Sequence, residues 1–175
     1  DIKIESVEVL EVKQENDAYV IRTDDEDYRA RTIIIASGAQ PKRLGIAGED
    51  RLTGRGVSYC GTCDGPLFKN KNIVLVGGGD RAIEEAIFLA GYASMVNVVH
   101  RRDELRASKI LVEKAGNNPK INFILDSVIE EISGENKVEA VKIKNVKTNT
   151  ASRLLCAGVF IFAGIKPNTG FLKNI

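Results

Sequence analysis

The stretch from Lys71 to Ala90, KNIVLVGGGDRAIEEAIFLA, restricts the fold more than any other part of the chain. Ile73-Val74-Leu75-Val76 is an apolar run rich in β-branched residues and bounded by turn formers, the pattern of a strand buried on both faces. Gly77-Gly78-Gly79 and Asp80 interrupt it. Beyond them the apolar period becomes helical. Ala82, Ile83, Ala86, Ile87 and Ala90 share one face, Arg81, Glu84 and Glu85 lie off it, and Gly91 is a stop signal. Strand, glycine turn and helix in this order match G-x-G-x-x-A at Gly77, Gly79 and Ala82. The first glycine of that motif makes the tight turn and the second lets backbone approach a pyrophosphate. The small third residue lets helix and strand pack closely. The phosphates belong at the helix N-terminus, where free N–H groups and the dipole favour negative charge. Gly78, Asp80 and Arg81 complete the candidate loop. Glycines alone are a weak signal, but here a second strand, Val96 to His100, completes a βαβ unit of about 30 residues. The fold class predicted is α/β, with a Rossmann-like parallel sheet.

Residues 1 to 36 carry no helical stripe. Ile2, Ile4, Val7, Val9 and Val12 alternate with charged residues, and Ala18 to Thr23 and Tyr28 to Ala36 follow. This predicts a β-meander whose Asp24-Asp25-Glu26-Asp27 tip is a solvated turn, since it lacks the fixed ligand spacing of a calcium loop. Thr32-Ile33-Ile34-Ile35-Ala36 is a continuous apolar run and is expected to be buried on both faces. Gln40-Pro41 and Gly45 to Gly54 read as a linker. Downstream, Arg106 to Ala115 reads as a short helix, Ile121 to Leu125 as a third strand, and Val128 to Ile132 with Val138 to Val146 as a hairpin. Arg153 to Cys156 is a further strand candidate. Val159 to Phe162 is again fully apolar, and Lys166-Pro167-Asn168-Thr169 leaves the sheet.

Cys60 and Cys63 close a very small loop, and Asp64 follows them. Thiolates in such motifs often have lowered pKa values, and a neighbouring carboxyl can move protons to or from a departing thiolate. A structural zinc site wants four ligands, and beyond the pair the chain offers only Cys156 and His100. Redox chemistry is therefore the favoured reading, and Cys156 reads as a buried small hydrophobe. Three cysteines are too few for a secreted disulfide scaffold, which points to a reducing, cytoplasmic compartment.

NAD-specific sites place an acidic residue at the end of the second strand to bind the ribose hydroxyls. Here that strand runs into His100-Arg101-Arg102, with Arg106 following. Guanidinium groups suit a phosphate on the ribose 2′ position, so the cluster predicts NADP(H). Asp103 is the competitor, since it could take a ribose hydroxyl. The net charge of +1 suggests no nucleic-acid or acidic-membrane partner. The sequence shows no membrane-spanning apolar stretch and no signal peptide. Beginning at Asp1 inside an apparent strand, it reads as an excerpt.

Taken together, several segments resemble one family. They are Ala36-Ser37-Gly38-Ala39, Gly54-Arg55-Gly56-Val57-Ser58, Cys60-Gly61-Thr62-Cys63-Asp64-Gly65, Gly77-Gly78-Gly79-Asp80, His100-Arg101-Arg102-Asp103, Arg106-Ala107 and Lys166-Pro167-Asn168-Thr169. Over nearly its whole length the chain looks like the middle of a small, two-domain thioredoxin reductase of bacteria or archaea. The resemblance implies an NADPH domain, residues 55–162, inserted into an FAD domain. Residues 1–54 and 163–175 would be pieces of the latter. It implies NADPH as hydride source, FAD as carrier in the full-length parent, and Cys60–Cys63 as the disulfide reduced. Cys63 would face the flavin, Cys60 would attack the disulfide of thioredoxin, and Asp64 would be the acid. Arg101, Arg102 and Arg106 would hold the 2′-phosphate. The family also suggests a homodimer.

Two departures stand out. The family's FAD fingerprint and its Gly-Asp flavin motif are absent, so this chain alone is expected to hold NADPH but not FAD. Arg81 replaces a small hydroxyl residue, and a cation in a first helical turn opposes the dipole. Two rivals remain. One is the NADH-dependent reductase subunit of a peroxide-reducing system, which the arginines disfavour. The other is a non-catalytic nucleotide-binding module, which the cysteine pair disfavours. Ferredoxin-linked relatives lack that pair.

Overall fold

The structure, a computed structural model, describes residues 3–172. The chain forms two compact units, one of Asp1–Gln40 with Lys166–Ile175 and one of Pro41–Ile165.

The smaller unit is built on an antiparallel meander, β1 (Val9–Glu15), β2 (Ala18–Thr23) and β3 (Asp27–Ala30), in the order β1-β2-β3. Its acidic tip is a turn, as expected. The Thr23 hydroxyl donates to the Glu26 carbonyl at 2.6 Å and accepts from the Asp25 and Glu26 amides. Ile2 lies outside the described residues, and the first strand begins at Val9. The return segment is tied in by the Val12 amide, which donates to the Phe171 carbonyl at 3.0 Å. The Asn168 side chain likewise donates to the Ser37 carbonyl at 3.0 Å.

One expectation fails in this unit. Thr32 to Ala36 is not a strand buried on both faces: it pairs with no described strand, and Ile34 is 96% exposed. An apolar run becomes a buried parallel strand only when flanking strands satisfy its amides and cover its side chains, and none is present among the described residues. Both crossings between the units fall in short strands, β4 (Ala39–Pro41) and β13 (Ile165–Pro167).

The larger unit runs through α1 (Glu49–Leu52), β5 (Val57–Ser58), α2 (Gly61–Asp64), a 3-10 turn (Gly65–Phe68), β6 (Asn72–Val76), α3 (Asp80–Leu89) and β7 (Met95–Val99). It continues with α4 (Lys109–Gly116), β8 (Ile121–Ile124), β9 (Ser127–Ser133), β10 (Ala140–Asn145), β11 (Ala151–Leu155) and β12 (Gly158–Ile161). A five-stranded parallel sheet, β5-β12-β6-β7-β8, forms its centre. Alternation along the strands splits the core in two. Ile73 and Leu75 of β6, with Val96 and Val98 of β7 and Phe160 of β12, pack under α3 against Ile83, Ala86 and Leu89. Val74, Val99, Val159 and Ile161 face the antiparallel sheet β11-β10-β9, meeting Ile129, Ile132 and Val141. The central strands are therefore mostly apolar, as their sequence runs required; the buried exception, Asn97 of β7, accepts from the Asn122 side chain at 3.0 Å. Each fully buried aliphatic side chain contributes about 1.5–3 kcal/mol.

Residues 45 to 54 are not a bare linker. They contain α1, and Leu52 is fully buried in the second core. The Ile132 amide donates to the Ala47 carbonyl at 2.9 Å, fixing this segment on β9. Residues 41–54 thus pack with the larger unit.

Candidate functional site

The glycine turn joins β6 to α3, and two of its glycines are required by close contacts within the chain. Gly77 has φ +156, and a Cβ there would meet the Ala82 Cβ at 2.5 Å and the Phe162 carbonyl at 2.8 Å. A Cβ on Gly78 would enter the His100 ring, 2.3 Å from Nδ1. Gly79 is different: nothing in the chain lies within 4 Å of its Cβ position. Its backbone is open to whatever the loop binds. A short strap then docks on the turn. The Arg106 and Ala107 amides donate to the Gly78 carbonyl at 2.7 and 3.1 Å, and the Ser108 amide donates to Asp80 Oδ1 at 2.6 Å. These bonds hold residues 106 to 108 out of helical geometry. The helix expected from Arg106 therefore begins at Lys109.

Two cavities lie on either side of the turn. One, of about 300 Å³, is lined by Gly79, Asp80, Arg81, Arg106, Tyr59 and Phe162. The other, of about 390 Å³, is lined by Gly77, Gly78, His100, Arg101, Arg106 and Ser127. Arg106 and Phe162 border both. Arg81 lies with its guanidinium 5.6 Å from the Phe162 ring centroid. Of the three predicted arginines, Arg101 and Arg106 line these cavities. Arg102 is exposed beside them, with its carbonyl accepting from the Asp126 amide at 3.0 Å. Asp103, the acidic competitor, is held by Lys147 at 3.0 Å, and Lys147 also pairs with Asp126 at 3.1 Å.

His100 follows β7 rather than ending it. It is 6% exposed, and its Nε2 is buried with no hydrogen-bond partner. Burial, and then the charges of Arg106, Arg102 and Arg101, push the imidazole pKa down, with only a hydrogen bond to the Glu104 backbone opposing them. The ring is thus neutral near pH 7 and carries one unused buried polar atom.

Cys60 and Cys63 form a disulfide, with Cα atoms 5.4 Å apart. Cys60 caps α2, its Sγ accepting from the Cys63 amide at 3.3 Å. Cys63 is exposed, and Asp64 closes α2 half-buried. Cys156 is a free, buried thiol in the second core, pushed up to about 12 by burial. α2 packs on α3, so the disulfide and the glycine turn are carried by neighbouring elements of one unit.

Sequence reading missed Glu49 and Tyr59. Glu49 is 2% exposed and accepts from the Leu44, Gly45 and Ile46 amides and from the Tyr59 hydroxyl at 2.6 Å. Burial pushes its carboxyl up, but these donors outweigh burial and hold it below the usual range. Burial and the Glu49 charge push the Tyr59 phenol up to about 12. Tyr59 directly precedes Cys60, so this pair fixes the entry to α2. A glutamate among turn formers carries no local sign of such a role.

A buried parallel sheet, a glycine turn opening a helix, and a cysteine pair on an adjoining turn are the combination found in the class of two-domain disulfide reductases. The sequence profile of the pyridine nucleotide-disulphide oxidoreductase family matches residues 2–175, and the chain belongs to that family. Within it, the similarity is to thioredoxin reductases. The Streptomyces coelicolor enzyme is 48% identical over 147 residues, 84% of this chain and 46% of that protein. The Rickettsia conorii enzyme is 53% identical over 151 residues, 85% of this chain and 49% of that protein. The crystal structure of Lactococcus lactis thioredoxin reductase in its FR conformation matches with a TM-score of 0.87 at 42% identity, covering 95% of this chain and 55% of that one. The thioredoxin reductase of T. acidophilum matches at 0.84 with 36% identity, covering 97% and 56%. The chain spans about half the length of the relatives it matches.

Proposed function

We propose that this chain is the central part of an NADPH-dependent thioredoxin reductase. In this reading the larger unit, with residues 55–162 as its core, holds the nucleotide and the redox disulfide. The smaller unit, residues 1–40 and 166–175, belongs to a flavin domain completed elsewhere in the parent protein. The carrying observation is the coincidence, in one unit, of the Cys60–Cys63 disulfide with an arginine-bordered glycine turn.

The residues present fit a 2′-phosphorylated nucleotide. The open Gly79 backbone suits a pyrophosphate. Arg101 and Arg106, with Arg102 beside them, suit the 2′-phosphate. Asp103 is engaged by Lys147, which disfavours the NADH-dependent reading. When bound, NADPH and FAD supply two electrons for the disulfide. The chain's own groups do the rest. Asp64, next to Cys63, holds or moves the proton of a thiol. The Cys60 thiolate attacks one sulfur of the thioredoxin disulfide, releasing the other as a thiolate and forming a mixed disulfide. Cys63 then attacks Cys60, restoring the Cys60–Cys63 bond and releasing dithiol thioredoxin. The partner is thus a protein disulfide of thioredoxin type. The expected setting is a cytoplasmic homodimer, and the described residues include no helix long and apolar enough to cross a membrane.

Nucleotide binding tests the reading. In R101A/R102A, NADPH affinity should fall at least about tenfold while NADH affinity stays nearly unchanged, because each charge-assisted hydrogen bond contributes roughly 1.5–3 kcal/mol. Equal losses for both nucleotides, by calorimetric titration, would remove the 2′-phosphate role.

A further inference from the structure

One half-buried carboxyl has no part in the reading above. Glu85 lies on α3, and its Oε2 is buried without a hydrogen-bond partner. It rests against Gly61, the first residue of α2, so closely that a Cβ there would stand 2.0 Å from Oε2 and 3.1 Å from Cδ. Gly61 directly follows Cys60. The carboxyl therefore sits one residue from the disulfide, on the helix that packs beneath it.

The charges around it are few. On its own helix, Arg81 lowers the carboxyl pKa and Glu84 raises it, while burial, the largest effect, raises it. The titratable groups carried by α2 and its cap are Cys60, Cys63 and Asp64. No charged group of α4, which also packs on α3, figures among the effects on it. An unpartnered carboxyl in such a place is costly as an anion and tolerable as an acid.

We propose that Glu85 is a positioning residue for the redox pair, one that controls how readily the reduced Cys60–Cys63 thiols ionise. Neutral, it seats α2 and leaves a thiolate unopposed. Ionised, it places a second negative charge near the thiolate and favours the protonated thiol. Reduction by a dithiol such as dithiothreitol exposes the effect. The reagent's two sulfhydryl groups become its cyclic disulfide, the Cys60–Cys63 bond breaks, and two electrons and two protons pass to the pair. At higher pH one of those protons is then lost to water. Glu85 sets the pH at which that loss occurs. The proposal rests on the Cys60–Cys63 pair being reversible, and the test reports on that separately.

The chain is reduced with dithiothreitol, desalted and alkylated with iodoacetamide across a pH series, as wild type, E85Q and E85A. The wild type must first gain two reactive thiols on reduction; no gain removes both the redox reading and this proposal. Given that gain, E85Q, uncharged at every pH, should alkylate faster than wild type near neutral pH, by about threefold if the thiol pKa falls by half a unit. The two profiles should converge at low pH, where Glu85 is protonated. E85A should show the same acceleration, because charge rather than packing is responsible. Superimposable wild-type and E85Q profiles would overturn the proposal, as would acceleration in E85A alone.

Discussion

The His100 imidazole lies against Gly78 so closely that a Cβ on that glycine would stand 2.3 Å from Nδ1 and 2.4 Å from Cε1. The residue after one parallel strand and the middle of the neighbouring glycine turn therefore share a single space. Gly78 is small because of the ring, whereas a Cβ on Gly79 would meet nothing in the chain within 4 Å.

Gly78→Ala should consequently be the more damaging change of the two. The methyl must displace a ring that is 6% exposed, and overpacking of this kind costs about 1–3 kcal/mol. Thermal unfolding should fall by several degrees, at roughly 2–4 °C per kcal/mol for a chain of this size. Gly79→Ala should leave the melting temperature nearly unchanged and weaken nucleotide binding. A larger loss of stability in Gly79→Ala would contradict this assignment of the two glycines.

His100 also predicts a pH dependence of stability. Burial first, then the arginines, holds its folded pKa below the ordinary 6.5. As pH falls below that value, the unfolded chain binds a proton that the folded chain refuses. The His100 contribution is thus complete above about pH 6.5 and declines as pH drops towards the folded pKa. Glu85 has the opposite sign, because its carboxyl is raised and its stabilising effect fades as pH rises through the folded value. Denaturant midpoints measured from about pH 7 to about pH 5 should fall less steeply in H100Q than in wild type. Parallel slopes in the two proteins would show that the imidazole is not held neutral.

Tyr59→Phe removes the hydroxyl that donates to Glu49 at 2.6 Å. The carboxylate keeps its three backbone donors but loses its strongest partner in a site that is 2% exposed. The expected loss is about 1–3 kcal/mol. Because Tyr59 leads into Cys60, alkylation of the reduced pair should also become less uniform between the two sulfurs, read by mass spectrometry of the singly labelled chain. Wild-type stability in this variant would show that Glu49 is satisfied by the backbone alone.

Much of the site was readable because it is written locally. Strand β6, the turn Gly77–Gly79 and helix α3 are contiguous, and their periodicities follow from the geometry of each element. The Cys60–Cys63 disulfide depends on a three-residue separation that any compact turn can close. Thr32 to Ala36 was misread for the opposite reason. Its composition suits a central strand, but centrality belongs to the neighbours, and Ile34 remains exposed without them. The start of α4 shifted to Lys109 because the Arg106 and Ala107 amides are captured by a carbonyl far back in the chain, on Gly78.

The α/β class, the βαβ unit, the cysteine pair and the basic cluster after the second strand are all legible along the chain. Each depends on residues close along the chain, where backbone geometry leaves few alternatives. Which groups meet from distant parts of the chain depends on the packing of the folded molecule. It placed His100 on Gly78, closed Tyr59 on Glu49, tied Asp103 to Lys147 and set the Glu85 carboxyl under the Cys60–Cys63 helix. All but the exposed Asp103–Lys147 pair arise where separate elements pack against one another. Burial then pushes the Glu85 carboxyl up and the His100 imidazole down, while the Lys147 ammonium engages Asp103.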